Sequence, residues 1–325
     1  MRQMRGRREI QLEARVPADH AGMRLDFVAA ALFTEYSRAR LQQWIRRGEL
    51  LADGLPAKPT MKVWGGEVLR LHAVTEAEGE VYPQAIPLDV LYSDDDLLVL
   101  NKPAGLVVHP AAGNPDGTLQ NGLLHLDPDL ATVPRAGIVH RLDKDTSGVM
   151  VVARNLRAHA SLVRQLQDRE MSRVYRAVAG GDLVSGGTVD VPIGRHPRDR
   201  KRMAVVASGK PAVSHYRVVQ RFGGVTYVEV SLESGRTHQI RVHMAHIGHP
   251  LVGDPVYGRG PRARAALTPE QFDAVRYFPR QALHALRLKL VHPAGGEAVE
   301  FSAPIPNDLS KLLSCLGQSK PAGGR

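Results

Sequence analysis

The chain has 325 residues, and its 43 Lys and Arg against 33 Asp and Glu give a formal net charge of +10. This excess predicts a salt-sensitive attraction to a polyanion such as RNA. The length allows two domains, and the single cysteine, Cys315, excludes an intrachain disulfide framework and fits a reducing compartment.

The N-terminal part predicts a basic leader and a small helical domain. Residues 1–19 are predicted as the leader, which lacks the long apolar stretch of a signal peptide or a membrane span. We therefore expect a cytoplasmic protein without a membrane partner. The domain, residues 20–72, begins with two predicted helices. Their apolar stripes are Leu25, Val28, Ala29, Leu32 and Phe33 in the first, and Leu41, Trp44 and Ile45 in the second.

The second predicted helix is strongly basic, since it carries Arg38, Arg40, Arg46 and Arg47. A solvated face is the ordinary explanation of such a cluster. The helix pair is followed by a short predicted strand around Leu50, and the whole segment resembles an S4 RNA-binding domain. This resemblance implies that the arginines contact phosphates, which positions RNA without reading its sequence.

A change of composition marks the boundary between two domains. Residues 73–87 combine Glu76, Glu78 and Glu80 with two prolines and show no apolar period, so they are predicted as a flexible linker. Residues 88–310 are predicted as the second domain, and residues 311–325 as a C-terminal tail.

The second domain is predicted to contain mixed secondary structure. Strands are predicted at residues 89–92, 97–100, 106–108 and 228–232, and helices at residues 118–126 and 156–170. Because strands and helices do not alternate regularly, the predicted fold class is α+β with a largely antiparallel sheet flanked by helices and loops.

One polar segment of this domain is the strongest candidate for chemistry. Gly137–Val139 and Val149–Val152 are apolar runs that predict two strands, joined by a tight loop that presents Asp143. The neighbouring cations Arg141 and Lys144 favour an ionised carboxylate, the state that a nucleophile or general base requires. For Asp145, a local side-chain turn is an equally good explanation.

Two further clusters allow alternative interpretations. The densest positive stretch, which contains Arg198, Arg200, Lys201 and Arg202, predicts a loop between strands that is either solvated or closes over RNA. The spacing of His238, His243, His246 and His249, with Asp254 nearby, would fit a metal-dependent RNA hydrolase. The chain lacks a phosphate loop and a dinucleotide-binding fingerprint, so no nucleotide cofactor is predicted.

Several blocks of the sequence resemble one enzyme family. His140–Gly148 resembles the signature of the RluA family of RNA pseudouridine synthases. Residues 101–110, 113–118 and 235–243 also resemble family blocks and occur in the family order. Together they spread over most of residues 20–310, and they are most similar to the member that acts on the large ribosomal subunit.

The resemblance implies roles for individual residues. Asp143 corresponds to the catalytic aspartate, and Arg141 to the arginine that fills the space left by a flipped base. Tyr175 corresponds to the tyrosine that contacts the target base, and Arg236 to the basic residue that pairs with the aspartate. His140 and Arg241, in the same blocks, are predicted to bind substrate. Family members often have Lys at the position of Arg173, so this chain keeps the positive charge there but not the lysine. The family uses neither a cofactor nor a metal.

The expected function is therefore the isomerisation of uridine to pseudouridine. The resemblance implies large-subunit (23S) ribosomal RNA as substrate, in the helix 69 stem-loop, free or in an assembling 50S subunit. We expect a monomer. Two alternatives stay open at this point: a ribosome-assembly RNA-binding protein without activity, and the metal-dependent RNA hydrolase.

Overall fold

The structure is a computed structural model, and it describes residues 7–33, 36, 38–76, 81–111, 113–258 and 267–318. The chain divides into two compact units, Met1–Glu80 and Val81–Arg325. Some predictions fall outside the described residues: those for the side chain of Arg40, and those for residues 1–6, 77–80 and 319–325.

The N-terminal unit is a helix pair packed on an antiparallel sheet. Its helices are α1 (Leu25–Leu32) and α2 (Arg38–Arg47). Its strands are β1 (Arg7–Arg15), β2 (Leu50–Ala52), β3 (Leu55–Pro56) and β4 (Val68–Glu76), in the order β1-β4-β2-β3. The apolar stripes predicted for both helices lie in one core with the sheet, as expected for amphipathic helices. Gly48 follows α2 with a φ of 73°, the left-handed conformation that glycine adopts without strain at a helix end.

The predicted leader is wrong for residues 7–15, because they form β1. This strand pairs along its whole length with β4, with Leu12 opposite Leu71. Ile10, Leu12 and Ala14 pack on the core, whereas Gln11 and Glu13 are exposed. This alternation with a period of two is the pattern of a half-buried strand, and it is short enough to be missed beside the basic residues.

The predicted linker is also wrong over most of its length. Residues 73–76 belong to β4, and Val81 and Leu88 pack on the core of the second unit. Asn121 Nδ2 donates to the carbonyl of Tyr82 at 2.9 Å, so the segment after residue 80 is bound to the second unit by specific hydrogen bonds. The prolines did not distinguish these two cases, because they are compatible with an extended chain that lies on a protein surface as well as with a flexible linker.

The second unit is built on a large, mostly antiparallel sheet. Its strands are β5 (Asp89–Ser93), β6 (Leu97–Lys102), β7 (Ser147–Ala153), β8 (Ser172–Gly180), β9 (Gly187–Asp190), β10 (Ile193–Arg195), β11 (Met203–Val205), β12 (Val213–Arg221), β13 (Val225–Leu232), β14 (Leu283–Val291) and β15 (Ala298–Ser302). Over the described residues the main sheet has the order β5-β6-β7-β14-β8-β13-β12-β9, with β15 on β14; β10 and β11 form a separate hairpin. Only the contact between β7 and β14 is parallel among these pairs.

Helices and short 3-10 turns flank the sheet. The helices are α3 (Leu119–Leu126), α4 (Leu156–Gln167), α5 (Gln239–His246), α6 (Pro269–Arg276) and α7 (Asn307–Gly317). The α+β class is thereby confirmed, and so are the predicted helices that correspond to α3 and α4. Within the described ranges, no helix is both long and apolar enough to cross a membrane.

The predictions for residues 106–108 and for the C-terminal tail are wrong. Residues 106–108 form no strand, because their carbonyls serve other groups: Val107 accepts from the first amide of α3, and Leu106 accepts from Lys102 Nζ at 2.8 Å. The predicted tail begins too early, since α7 extends to Gly317 and buries Leu312 and Leu316. These leucines lie one helical turn apart on one face, which gives the helix its core contact.

Candidate active site

The loop that carries Asp143 begins at a tightly packed turn and leads into β7. The strand predicted at residues 137–139 is wrong: Pro134–Gly137 is a 3-10 turn, and Ile138 makes a single bridge to Val152 of β7. Gly137 has a φ of 76°, and a Cβ atom there would lie 1.9 Å from the carbonyl oxygen of Ala153. Only glycine fits this position, so the entry to the loop is pinned against β7.

The far side of the same loop is held by a buried lysine. Lys102, at the end of β6, is 1% exposed. Its Nζ donates to the carbonyls of Pro103, Leu106 and Lys144 at 2.7, 2.8 and 2.9 Å. Because one of these carbonyls follows Asp143 directly, the lysine ties the Asn101–Lys102–Pro103 block to the loop. The family block at residues 101–110 includes this lysine, but the sequence did not indicate its role.

Arg241, rather than Arg236, is the ion-pair partner of Asp143. Arg241 Nη1 lies 3.0 Å from Asp143 Oδ2, and its Nε and Nη2 donate to Asp254 at 2.7 and 3.0 Å. Burial opposes the charge of Arg241, but its bonds to Asp254 outweigh this and raise the pKa of the guanidinium. Burial likewise opposes the charge of Asp254, yet Arg241 holds the pKa of this carboxyl below its usual value.

The pairing expected for Arg236 is therefore corrected. Its Nε donates to the carbonyl of Pro211 at 3.0 Å, while its side chain still lines the cavity beside Asp143. Arg236 precedes α5, whereas Arg241 points from the first turns of this helix toward the loop. The sequence spacing could not distinguish them, because both residues lie in one block.

An aromatic contact joins the site to the basic hairpin. His238 adopts a left-handed backbone with a φ of 57° directly before α5. Its Nδ1 is 2.8 Å from the hydroxyl of Tyr257, which also accepts from the amide of Met203 on β11 at 2.9 Å. His238 Nε2 lies 3.9 Å from Asp143 Oδ1. Tyr257 therefore lies between the hairpin and the loop that carries Asp143, and the sequence analysis did not identify it.

Asp143, His238 and Arg241 line one cavity of about 990 Å³. Its wall contains six of the predicted residues: Arg141, Asp143, Tyr175, Arg236, Arg241 and His140. Arg141 is exposed and Asp143 is half-buried, so both are accessible to a ligand.

Two of the predicted groups in the wall, Tyr175 and His140, are uncharged at neutral pH. Burial raises the pKa of Tyr175, so its phenol keeps its proton at neutral pH. Burial, with a smaller contribution from Arg173, lowers the pKa of His140 to about 3. His140 Nε2 accepts from the amide of Val151 at 3.1 Å. Its role in substrate binding stays a prediction, because this ring nitrogen already supports β7.

The predicted RNA-binding side chains fall into three environments. Arg198, Arg200 and Lys201 are exposed at the tip of the β10–β11 hairpin, as the sequence predicted for a loop between strands. Arg202, at its base, lies over the ring of Tyr257 at 5.4 Å. In the N-terminal unit, Arg46 and Arg47 are exposed.

Arg38 has a structural role that the sequence did not predict. Its Nη2 lies 2.8 Å from Asp26 Oδ2, a fully buried carboxylate of α1 that also pairs with Arg24. Its guanidinium stacks 3.6 Å from the ring centre of Phe27. Arg38 therefore joins α2 to α1, and only its exposed edge is left for RNA.

The clustered histidines do not converge on a metal site. His243 bonds to Ser214 at 2.9 Å, His249 bonds to the carbonyl of Gly180 at 2.9 Å, and His246 is exposed. In the part of the chain that the structure describes, no three His, Cys, Asp or Glu side chains are grouped to hold a metal ion. The spacing that suggested a metal-dependent hydrolase therefore has no counterpart in the fold.

Comparison with known proteins gives a consistent result. A family model described as RNA pseudouridylate synthase matches residues 96–246, which include Asp143 and Arg241. The chain is 56% identical to "Ribosomal large subunit pseudouridine synthase D" of Xanthomonas campestris pv. campestris over 94% of its length and 92% of the relative. It is 55% identical to the protein of that name from Pseudomonas aeruginosa, over 96% and 98%.

Solved structures agree with this assignment. Human RNA Pseudouridylate Synthase Domain Containing 4 is 27% identical with a TM-score of 0.54, covering 72% of this chain and 94% of the human one. Human RNA Pseudouridylate Synthase Domain Containing 1 is also 27% identical, with a TM-score of 0.51 and coverage of 75% and 98%. The resemblance drawn from the sequence motifs is confirmed: the chain belongs to the RluA family of RNA pseudouridine synthases.

Proposed function

We propose that this enzyme isomerises uridines to pseudouridine in large-subunit ribosomal RNA, with Asp143 as the catalytic group. The main support is the position of Asp143: a half-buried carboxylate held by Arg241 at 3.0 Å in the wall of a cavity of about 990 Å³. The relatives at 55–56% identity are named as synthases of the large ribosomal subunit, which supports the substrate class.

The chemistry requires that a base leaves its stack and enters a pocket. The cavity has room for a nucleotide, and the exposed Arg141 lies two residues before Asp143 in its wall. Arg141 would occupy the space that the extruded uridine leaves, because a flipped base otherwise loses its stacking neighbours without replacement. Asp143 would then act at the ribose, and the protonated phenol of Tyr175 would contact the base.

The RNA would be held by exposed cations on both units. The tip of the β10–β11 hairpin presents three of them, and α2 presents Arg46 and Arg47. The helix pair and sheet of the N-terminal unit are consistent with an S4-like RNA-binding domain, and such contacts would position a stem-loop without reading bases. We propose the helix 69 stem-loop as target, in free RNA or in an assembling 50S subunit, with the enzyme acting as a cytoplasmic monomer.

The test is release of tritium from an unmodified large-subunit rRNA transcript labelled at C5 of uridine, with chelator present. We expect wild type to release tritium and Asp143→Asn to lose about a hundred- to ten-thousandfold in rate, with unchanged RNA affinity. Equal rates would overturn the role of Asp143. Tight binding without release, on the transcript and on intact subunits, would indicate a binding protein instead.

A further inference from the structure

Arg173 is a buried cation in the cavity wall, and it has no ion-pair partner among the described residues. It projects from β8 two residues before Tyr175, and both side chains line the cavity. Arg173 is 8% exposed, and its Nε is enclosed without a hydrogen-bond partner. No side chain in the described ranges forms a hydrogen bond or an ion pair with its guanidinium. Arginine remains protonated in proteins, so the positive charge is uncompensated.

An uncompensated buried charge is unfavourable for the free protein, so it is expected where a ligand supplies the missing negative charge. The groups beside Arg173 do not supply it. His140 is neutral, because burial and then Arg173 lower its pKa to about 3. Burial raises the pKa of Tyr175, which keeps its phenol neutral as well. The wall around Arg173 is therefore suited to an oxygen that carries negative charge.

The fold leaves room for this guanidinium at one glycine. A Cβ atom on Gly235 would lie 2.5 Å from Arg173 Nη1. Gly235 precedes α5 in the Gly235–His243 block, so the same segment that supplies Arg241 to Asp143 also makes space for Arg173. A side chain at this position would displace the guanidinium from its place in the wall.

The depth of Arg173 favours a base as the ligand over a phosphate. Arg135, Arg141 and Arg169 also line the cavity but are exposed, so they suit a phosphodiester backbone that stays in solvent. Arg173 is reached only by a group that enters the cavity. A guanidinium has five donors and no acceptor, and the acceptors of uracil are its two carbonyl oxygens.

We propose that Arg173 stabilises the uracil anion while the base is detached from the ribose, by donating hydrogen bonds to the carbonyl oxygens that carry the charge. This inference rests on the proposed function. When the C1′–N1 bond breaks, its electron pair stays on the base and spreads over N1, O2 and O4. The broken bond leaves C1′ electron-deficient, and Asp143 relieves this deficiency either by bonding to C1′ or by taking a proton from C2′. When C5 then bonds to C1′, Asp143 is released or returns its proton, C5 loses a proton, and N1 gains one.

The hydrogen bonds from Arg173 strengthen as negative charge develops on the base, so they accelerate bond cleavage more than they strengthen RNA binding. The uncharged uracil of the bound RNA offers weaker acceptors than the anion. Arg173 is therefore a catalytic residue of the cleavage step, distinct from Asp143, which acts at the sugar.

The experiment compares Arg173→Met and Arg173→Lys with wild type. Single-turnover tritium release is measured at saturating rRNA transcript, and RNA affinity is measured over a range of salt concentrations. We expect Arg173→Met to lower the single-turnover rate about a hundredfold without changing affinity or its salt dependence. Arg173→Lys keeps the charge and should recover most of the rate. Gly235→Ala should lower the rate in the same direction, and Arg217→Met, an exposed arginine outside the cavity, should have no effect.

Thermal unfolding separates this role from a structural one. Because no described residue bonds to the Arg173 side chain in the free protein, Arg173→Met should not lower the Tm. If this variant does not fold, the comparison is between Gly235→Ala, which displaces the guanidinium and should lower the rate, and Arg173→Lys, which keeps the charge and should retain most of the rate. An unchanged single-turnover rate would overturn the inference. The inference would also be overturned if Arg173→Met bound RNA more weakly, with a salt slope reduced by the amount expected for about one phosphate contact, and kept the wild-type rate at saturating RNA. That result would indicate that Arg173 contacts a backbone phosphate. Absence of release by wild type would instead overturn the proposed function.

Discussion

Arg241 donates a hydrogen bond of 3.0 Å to Asp143, a residue 98 positions earlier in the chain, while Asp254 holds its other two nitrogens. The guanidinium is thus shared between a carboxylate that faces the cavity and one that is fully buried. Asp254 fixes Arg241, and Arg241 fixes Asp143, so Asp254 is a positioning residue without access to the substrate.

Replacing Asp254 should therefore affect both stability and rate. Asp254→Ala leaves the buried Arg241 with Asp143 as its remaining carboxylate partner. Loss of one partner from a buried ion pair costs about 3–5 kcal/mol in free energy of unfolding. Urea unfolding measures the loss, and tritium release at saturating RNA should fall with it. The control is Glu300→Ala, which removes an exposed partner of Arg287 on the same sheet. Equal stability of the two variants would contradict the positioning role.

His140 should make stability depend on pH in a defined window. Its pKa is lowered by burial to about 3 in the folded chain, below the value of about 6.5 for an unfolded histidine. Between these two pKa values only the unfolded chain binds the extra proton. The contribution of His140 to the free energy of unfolding is therefore complete above about pH 6.5, and it falls by up to about 1.4 kcal/mol per pH unit as the pH decreases.

The comparison is between wild type and His140→Gln, whose amide oxygen can still accept from Val151. The stability advantage of wild type at pH 7, measured by urea unfolding, should shrink as the pH decreases toward about 4. His246→Gln, at an exposed position on the same unit, is the matched control. A difference between wild type and His140→Gln that is constant over this range would show that His140 accepts its proton in the folded state.

Tyr257 should couple the basic hairpin to the loop that carries Asp143. Tyr257→Phe keeps the ring between Arg202 and Arg241 but removes the hydroxyl that contacts His238 and Met203. We expect faster amide hydrogen exchange at Met203 and a rate about tenfold lower, since small displacements of a catalytic group are costly. Tyr277→Phe alters an exposed tyrosine and serves as control. Unchanged exchange at Met203 would argue against the coupling.

The hairpin tip should contribute to RNA affinity through charge alone. Replacing Arg198, Arg200 and Lys201 with alanine should weaken binding and reduce the salt slope of log affinity by about two to three, roughly 0.7–0.9 per lost phosphate contact. Binding titrations at several salt concentrations measure this, with Lys289→Ala as a control for an exposed lysine on β14. Weaker binding with an unchanged slope would indicate contacts other than phosphates.

Arg46→Ala with Arg47→Ala tests the N-terminal unit in the same assay. Both side chains are exposed on α2, so their removal should leave the unit folded while weakening binding and flattening its salt dependence. If the slope does not change, the N-terminal unit does not contact the RNA backbone through α2.

Local patterns in the sequence were sufficient for much of the fold and for the centre of the site. The helical stripes of α1 and α2, the helix α4 and the loop that presents Asp143 depend on residues close in sequence, so periodicity and turn chemistry predicted them. The family resemblance added roles for Asp143, Arg141 and Tyr175, which the fold brings into one cavity. The predicted leader, linker and tail were wrong because residues 7–15, 81–88 and 311–317 are ordered only through partners far away in the chain.

The amino-acid sequence by itself determined the α+β class, the family and the carboxylate around which the site is built, because each depends on short-range order or on contiguous motifs. Tertiary structure decided which cation serves this carboxylate. Arg236 and Arg241 lie five positions apart in one block, and the start of α5 turns only Arg241 toward Asp143. Folding also buried Arg173 without a counterion among the described residues, and this depends on the space around the side chain rather than on its neighbours in sequence.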